Sequence, residues 1–357
     1  MKIATQMALG LAALLTMVCG VSCSSGGDTP SVPAVIPDKA LVVVNAGNYG
    51  AGNSTLSLYN PESNECHNEL FYGLNGYRLG DQAQSMTRRN NVGWVTVANS
   101  HIIFALDLDT MRERGRITGI HAPRYICFVS DEKAYVSQLW SDHLTIINPK
   151  TYAITGTVSI PNMVAESGST EEMVYRNGYL YVCCWSYHKR VVKIDTATDR
   201  VVAEVEAGIQ PTSLVEDRNH HLWTLCDGGY EGAPVGYDAP TLSRINPQTM
   251  QVEATFRFTK GDYLSKLRIN KAGSHLYWLN NGSLYRMAID APALPAEPLV
   301  AGSGYLNALT IDPEREEIYV ADAIDYQQQG IIYRYSATGK LIDSFYAGVI
   351  PTEFCWR

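Results

Sequence analysis

Seven short apolar segments of this chain carry a polar residue at matching positions: Ser85, Tyr125, Glu172, Ser213, Lys266, Asn307 and Glu353. One step earlier on each stand Gln84, Arg124, Glu171, Thr212, Ser265, Leu306 and Thr352. Two carboxylates and a lysine, if brought together, are the components of general acid–base catalysis or of a cation site. The plainer expectation is a set of hydrated polar groups lining a water-filled channel, and that is the favoured reading. Other candidates for chemistry are weaker. His220 and His221 are adjacent, so on a strand they point to opposite faces and cannot easily share a metal. Asp107-Leu108-Asp109 is only faintly like a calcium loop, because Thr118 stands where a bidentate glutamate would be needed. No nucleophile elbow, zinc-protease motif, phosphate loop or dinucleotide fingerprint is present. Binding rather than catalysis is therefore expected, with no metal and no cofactor.

A second set of residues suits recognition. Tyr49, Trp140, Trp185, Tyr187, Tyr230, Tyr237 and Tyr326 fall on one kind of connection between apolar runs; Tyr77, Arg78, Arg124, Tyr263 and Tyr305 fall on another. Rings with an apolar body and a polar tip, interspersed with arginine, are what binding hot spots are made of. The connection Asp227–Pro240 holds four glycines and two tyrosines, so it could close over a ligand as a lid.

The elements that must hold these residues are strands. From residue 40 the chain has short alternating runs of Val, Ile, Tyr, Thr and Trp between turn residues, with no convincing helical period. A repeat is visible in Asp107 to Thr110, Asn148 to Thr151, Asp195 to Thr198 and Asn246 to Thr249, whose starts lie 41, 47 and 51 residues apart. That period is propeller-sized. The Asp or Asn side chain closes a tight turn and the Thr opens the next strand. Second strands are recognisable at Leu41-Val42-Val43, Gly93-Trp94-Val95, Ala134-Tyr135-Val136, Leu180-Tyr181-Val182, Leu222-Trp223-Thr224, Leu276-Tyr277-Trp278 and Ile318-Tyr319-Val320, giving seven units. The first unit lacks an inner strand, and the segment ending Pro351-Thr352-Glu353-Phe354-Cys355-Trp356 matches one. The expected fold is all-β, a seven-bladed β-propeller of four-stranded blades with its ring closed by the C-terminal strand. In such a ring the seven polar residues line the central channel. The two kinds of connection then emerge on one face.

Composition agrees with a globular domain: hydrophobic residues are 46% and charged ones 18%. Twenty-eight basic residues against thirty-six acidic ones, with no basic run, argue against a nucleic-acid partner. Lys2, the apolar run Met7–Val18 and the small residues before Cys23 read as an export signal too short to span a bilayer. Gly20-Val21-Ser22-Cys23 resembles a bacterial lipobox, which implies lipidation of Cys23. Residues 1–22 are then the signal peptide, 23–38 a lipidated flexible tether, and 39–357 the propeller. The remaining cysteines, Cys66, Cys127, Cys183, Cys184, Cys226 and Cys355, lack metal-ligand spacing. Four of them, Cys127, Cys183, Cys226 and Cys355, sit in apolar strand patterns as core residues, although export leaves pairing open.

Val44-Asn45-Ala46-Gly47-Asn48-Tyr49-Gly50, Ser54-Thr55-Leu56-Ser57-Leu58-Tyr59 and Leu79-Gly80-Asp81-Gln82-Ala83-Gln84-Ser85-Met86 carry a family resemblance over nearly all of the mature chain. The sequence resembles the YncE-like or surface-layer β-propellers, and within them the BtuG-like cobalamin-binding surface lipoproteins of Bacteroidetes. The family usually has Glu where Ala46 stands. The resemblance implies an outer-membrane lipoprotein facing the cell exterior that captures a corrinoid at the propeller mouth. It also implies handover to a TonB-dependent outer-membrane transporter, with cobalamin as ligand rather than cofactor and the membrane reached only through the anchor. Two other readings compete: a surface-layer propeller binding glycan or protein, and a metal-dependent lactonase or lyase using Glu172, Glu353 and Asn307.

Overall fold

The computed structural model describes residues 32–357, so the signal segment and Cys23 lie outside the described residues. Seven antiparallel sheets stand radially around one axis. The inner strands are Pro351–Trp356, Ala83–Arg89, Pro123–Phe128, Thr170–Arg176, Pro211–Glu216, Leu264–Ile269 and Leu306–Ile311, one per blade. Blade 1 is closed as expected, because Pro351–Trp356 pairs antiparallel with Leu41–Asn45 in the register Leu41 to Trp356 and Val43 to Phe354. The first and last parts of the propeller thus share a sheet, and the ring has no free inner edge.

Second strands are buried along their whole length, as in Leu222–Cys226 and Ala134–Gln138, because each is pressed between two neighbouring blades. Outer strands such as Arg200–Glu206 and Gln251–Arg257 alternate between exposed and half-buried residues. This difference follows from position, since only the outermost strand shows a face to water. Trp94, Tyr135, Tyr181, Trp223, Tyr277 and Tyr319 are buried on second strands, so much of the aromatic content is core. Several of these tips stitch blades together. The Tyr181 hydroxyl donates to the Pro247 carbonyl at 2.9 Å, and the Tyr135 hydroxyl donates to Asp199.

The repeated turn forms as read. Asp195 Oδ1 accepts from the backbone N–H of Ala197 (2.8 Å) and of Thr198 (3.1 Å). Asp107, Asn148 and Asn246 do the same for the residues two and three positions on. Replacing Asp195 with Ala removes both bonds on an exposed turn, and the expected cost is about 1 kcal/mol in chemical denaturation. Asn148→Ala should match it if the turns are equivalent.

Two departures from the strand pattern occur. Blade 6 has three strands, Leu264–Ile269, His275–Asn280 and Ser283–Ala288; its fourth position is reduced to a bridge between Leu284 and Val300. The connection that would supply that strand contains Pro292, Pro295 and Pro298, which cannot donate to a ladder. Blade 1 has an outer strand of only three residues, Glu65–His67, followed by a helix at Leu70–Asn75 whose Leu70 and Phe71 are buried. The described cysteines are all free. Adjacent Cys183 and Cys184 point into the cores on opposite faces of their sheet.

The chain enters the ring on the face opposite the aromatic connections. Arg357, just past the inner strand of blade 1, donates to the Ile36 carbonyl and to Asp38, each at 2.9 Å. Lys39 pairs with Glu314, on the turn joining the first two strands of blade 7.

Candidate functional site

Ion pairs cross the central channel. All seven inner strands carry a register shift against their second strands, between Pro123 and Ile126, Thr170 and Met173, and Ser265 and Arg268 among others. Such bulges turn consecutive side chains toward one side. Glu171 and Glu172 both reach the channel, and so do Lys266 and Arg268. Arg268, absent from the aligned ring, is the hub: it donates to Glu172 at 2.8 Å and to both oxygens of Glu353 at 2.9 and 2.7 Å. Lys266, with φ of 55° in its bulge, adds a contact to Glu353 at 3.3 Å. Arg124 makes paired bonds to Glu171 at 3.0 Å each and a further one to Gln84. Three cations therefore face three carboxylates.

The groups differ in how their charges are held: burial raises the Glu171 pKa in spite of Arg124, whereas Glu353 and Arg268 support each other's charge. Burial opposes the Glu353 carboxylate, but Arg268 and Lys266 outweigh it and bring its pKa below the usual glutamate range. Burial also opposes the Arg268 charge, and Glu172 and Glu353 more than reverse that. Glu353 accepts from Arg268 with both oxygens, while Glu172 accepts from Arg268 with one and from the Leu214 N–H with the other. Ser85 is buried, with its hydroxyl donating to the Arg124 carbonyl at 2.6 Å, and Ser213 is buried as well. Asn307 ties two inner strands, donating to the Pro351 carbonyl at 3.1 Å. Tyr125 lies within the network, its hydroxyl 3.4 Å from Gln84 Nε2. His220 and His221 point apart, to Glu216 at 2.8 Å and to Glu253 at 3.1 Å.

The mouth differs. Among the described residues ten Tyr or Trp side chains are exposed, and seven of them, Tyr49, Tyr77, Trp140, Tyr187, Tyr230, Tyr263 and Tyr305, belong to the two kinds of connection singled out in the sequence. They do not form one continuous rim. Trp185, Tyr230, Tyr237 and Tyr263 frame a cleft of 420 Å³ over blades 4 to 6, the size of a small-ligand site. Tyr187 joins this group, its hydroxyl 3.3 Å from that of Tyr230. Next along the face, Tyr305 and Tyr326 pack with ring centres 5.4 Å apart, and Asn48, one residue before exposed Tyr49, donates to the Tyr326 carbonyl at 2.6 Å. Tyr305 precedes the inner strand of blade 7 as Tyr263 precedes that of neighbouring blade 6, so this group adjoins the cleft; burial raises the Tyr326 phenol, with Tyr263 and Tyr305 adding to the effect.

Four predicted residues sit elsewhere. Trp140 belongs to a separate group, its ring centre 6.1 Å from that of His121, which stacks on His101 at 5.1 Å. Tyr77 is bound to Glu113 and Arg116 beside blade 2, with Arg78 exposed next to it. Arg124 is in the channel, because it opens an inner strand instead of ending a loop.

Backbone geometry fixes the mouth. Trp140, Tyr187 and Tyr326 have φ of 50°, 62° and 60°, a conformation that costs a bulky residue of order 1 kcal/mol and persists only where the surroundings enforce it. The loop Asp227–Pro240 is pinned by a bridge between Gly229 and Tyr237 and forms a wall of the cleft. At the cleft floor Asp227 accepts from Trp185 Nε1 at 2.9 Å, from the Gly229 N–H at 2.8 Å and from Gln210 Nε2 at 3.1 Å. Burial raises the Asp227 pKa against those three donors. Asp227 carried no signal in the sequence beyond opening the loop, and Gln210 none beyond preceding an inner strand.

A family model described as "Domain of unknown function (DUF5074)" matches residues 39–347. No curated protein matches the chain. Among solved structures it is similar to a quinonprotein alcohol dehydrogenase-like protein from Bacteroides thetaiotaomicron, with TM-score 0.69 and 15% identity over 90% of this chain and 79% of that one. It is also similar to the periplasmic gluconolactonase of Pseudomonas aeruginosa, with TM-score 0.65 and 11% identity over 89% and 99%. A protein from Lactobacillus plantarum gives TM-score 0.66 and 11% identity over 89% and 99%. At these identities the likeness is one of fold.

Proposed function

This chain belongs to the DUF5074 family, and we propose that its propeller is a ligand-capturing surface lipoprotein that takes a corrinoid at the aromatic mouth. In this reading the chain is anchored in the outer membrane through Cys23, faces the cell exterior, and passes cobalamin to a TonB-dependent transporter. One observation carries it: a 420 Å³ cleft framed by Trp185, Tyr230, Tyr237 and Tyr263 that adjoins Tyr305 and Tyr326 on one face. A corrinoid is a broad plate rimmed with amides. Rings supply faces for the plate, and the polar floor supplies partners for the rim. The cleft is smaller than such a ligand, so it would hold one edge while the tyrosines beside it support the rest. Entry of the chain on the opposite face, where Arg357 holds Ile36, leaves the mouth clear of any tether.

Titration of the purified protein with cyanocobalamin tests this. Tight binding is expected, and Tyr263→Ala, which removes a ring that is 67% exposed, should weaken it by at least about tenfold. Trp140→Ala should have little effect, since Trp140 stands in the separate histidine group. Absence of cyanocobalamin binding sinks the proposal. Binding of a soluble oligosaccharide in its place would favour a glycan receptor, for which an aromatic cleft bordered by carboxylates is also suited.

A further inference from the structure

The polar side of the cleft has a single character. Its polar lining side chains, the tyrosine hydroxyls and the Trp185 ring N–H aside, are Gln210, Asp227, Glu231 and Asp262, and no Lys, Arg or His lines it. The Trp185 N–H is already spent on Asp227. Lys260 stands close by, but its ammonium lies over the Tyr237 ring at 4.4 Å. Gln210 is 5% exposed, and both hydrogen bonds of its Nε2 go to the Asp227 carboxylate. That fixes the amide, because a flip would set its oxygen against the carboxylate. Its Oε1 is left buried with no hydrogen-bond partner. With both Nε2 bonds committed to Asp227, Gln210 offers the cleft no free donor. Asp262 accepts from the Thr259 N–H at 3.0 Å and from Asn281 at 2.9 Å, while Glu231 is exposed at the rim.

We propose that this cleft reads hydrogen-bond donors, accepting the primary-amide rim of a corrinoid and rejecting the same rim where an amide is replaced by carboxylate. The proposal rests on the corrinoid reading above and adds its selectivity. A primary amide brings two N–H donors to the carboxylates that line the cleft. A carboxylate brings no donor and a like charge, which is repelled by Asp227, Glu231 and Asp262.

Calorimetry with cyanocobalamin and with its separated monocarboxylic acids, each carrying one side-chain amide hydrolysed, tests the inference. At least one monoacid should bind at least about tenfold more weakly than cyanocobalamin at neutral pH. That ratio should fall by about threefold in Glu231→Gln, as expected for one partly screened charge pair. Monoacids that all match cyanocobalamin overturn the selectivity and leave the corrinoid reading standing. A ratio that Glu231→Gln does not change also overturns it. A chain that binds neither cyanocobalamin nor the acids fails the corrinoid reading itself, and the selectivity falls with it.

Discussion

Ending the chain at Ile350 is expected to abolish the cooperative melting transition of the whole propeller. The seven residues removed supply the inner strand of blade 1, and they do so on both sides of that sheet. Phe354 packs with Leu41, Val43 and Tyr319 toward blade 7, while Cys355 packs with Val42, Val44 and Val95 toward blade 2. Burial of a phenylalanine ring alone contributes about 2 kcal/mol. Loss of Glu353 also leaves Lys266 without its carboxylate and Arg268 with Glu172 alone, and an uncompensated buried charge costs roughly 3–5 kcal/mol. Arg357 leaves too, releasing Ile36 and Asp38. Against a net stability of about 5–15 kcal/mol for an ordinary domain, these losses leave no margin. Calorimetry of the truncated and full-length proteins, with near-ultraviolet dichroism for fixed packing, measures the outcome. A truncated chain with a sharp transition near that of the parent would contradict closure through Pro351–Trp356.

The propeller was legible because its signals are local and repeated. Asp195 and Thr198 reveal a turn whose hydrogen bonds join residues two and three apart, and a run such as Leu222-Trp223-Thr224 reveals a strand by composition. Closure was legible because the C-terminal segment has an inner-strand pattern and the first unit lacks one. What escaped was register. A period-two reading assigns each inner strand one channel residue, yet the bulge between Ser265 and Arg268 brings both Lys266 and Arg268 to Glu353. The missing fourth strand of blade 6 follows from three prolines, a signal present in the sequence that the count of blades does not need. The mouth was half legible. Loop tyrosines can be read as emerging from two kinds of connection, but whether Tyr230 meets Tyr187 or Trp140 meets His121 depends on the angle between neighbouring blades, which no local pattern encodes.

Arg268→Met should destabilise the protein by roughly 3–5 kcal/mol at neutral pH, because it leaves Glu172 and Glu353 buried with one fewer cation between them. The six charged groups make the rescue specific. In Arg268→Met with Glu172→Gln, two balanced pairs remain, Lys266 with Glu353 and Arg124 with Glu171, so most of the loss should return. In Arg268→Met with Glu353→Gln, Lys266 loses its carboxylate and Glu172 keeps an unpaired charge, so recovery should be smaller. Acidification gives an independent sign. In the parent protein Glu353 has a depressed pKa, so its contribution is present above the ordinary glutamate range and is lost as pH falls through the depressed value. Without Arg268 the largest lowering contact is gone, so that pKa rises and protonation costs the folded state less. The stability gap between parent and Arg268→Met should therefore narrow as pH drops below the ordinary glutamate range. Urea denaturation of the four proteins at neutral and acidic pH measures all of this. Equal recovery by the two double variants, or a gap that widens in acid, would show that Arg268 is not the hub of the channel's charge balance.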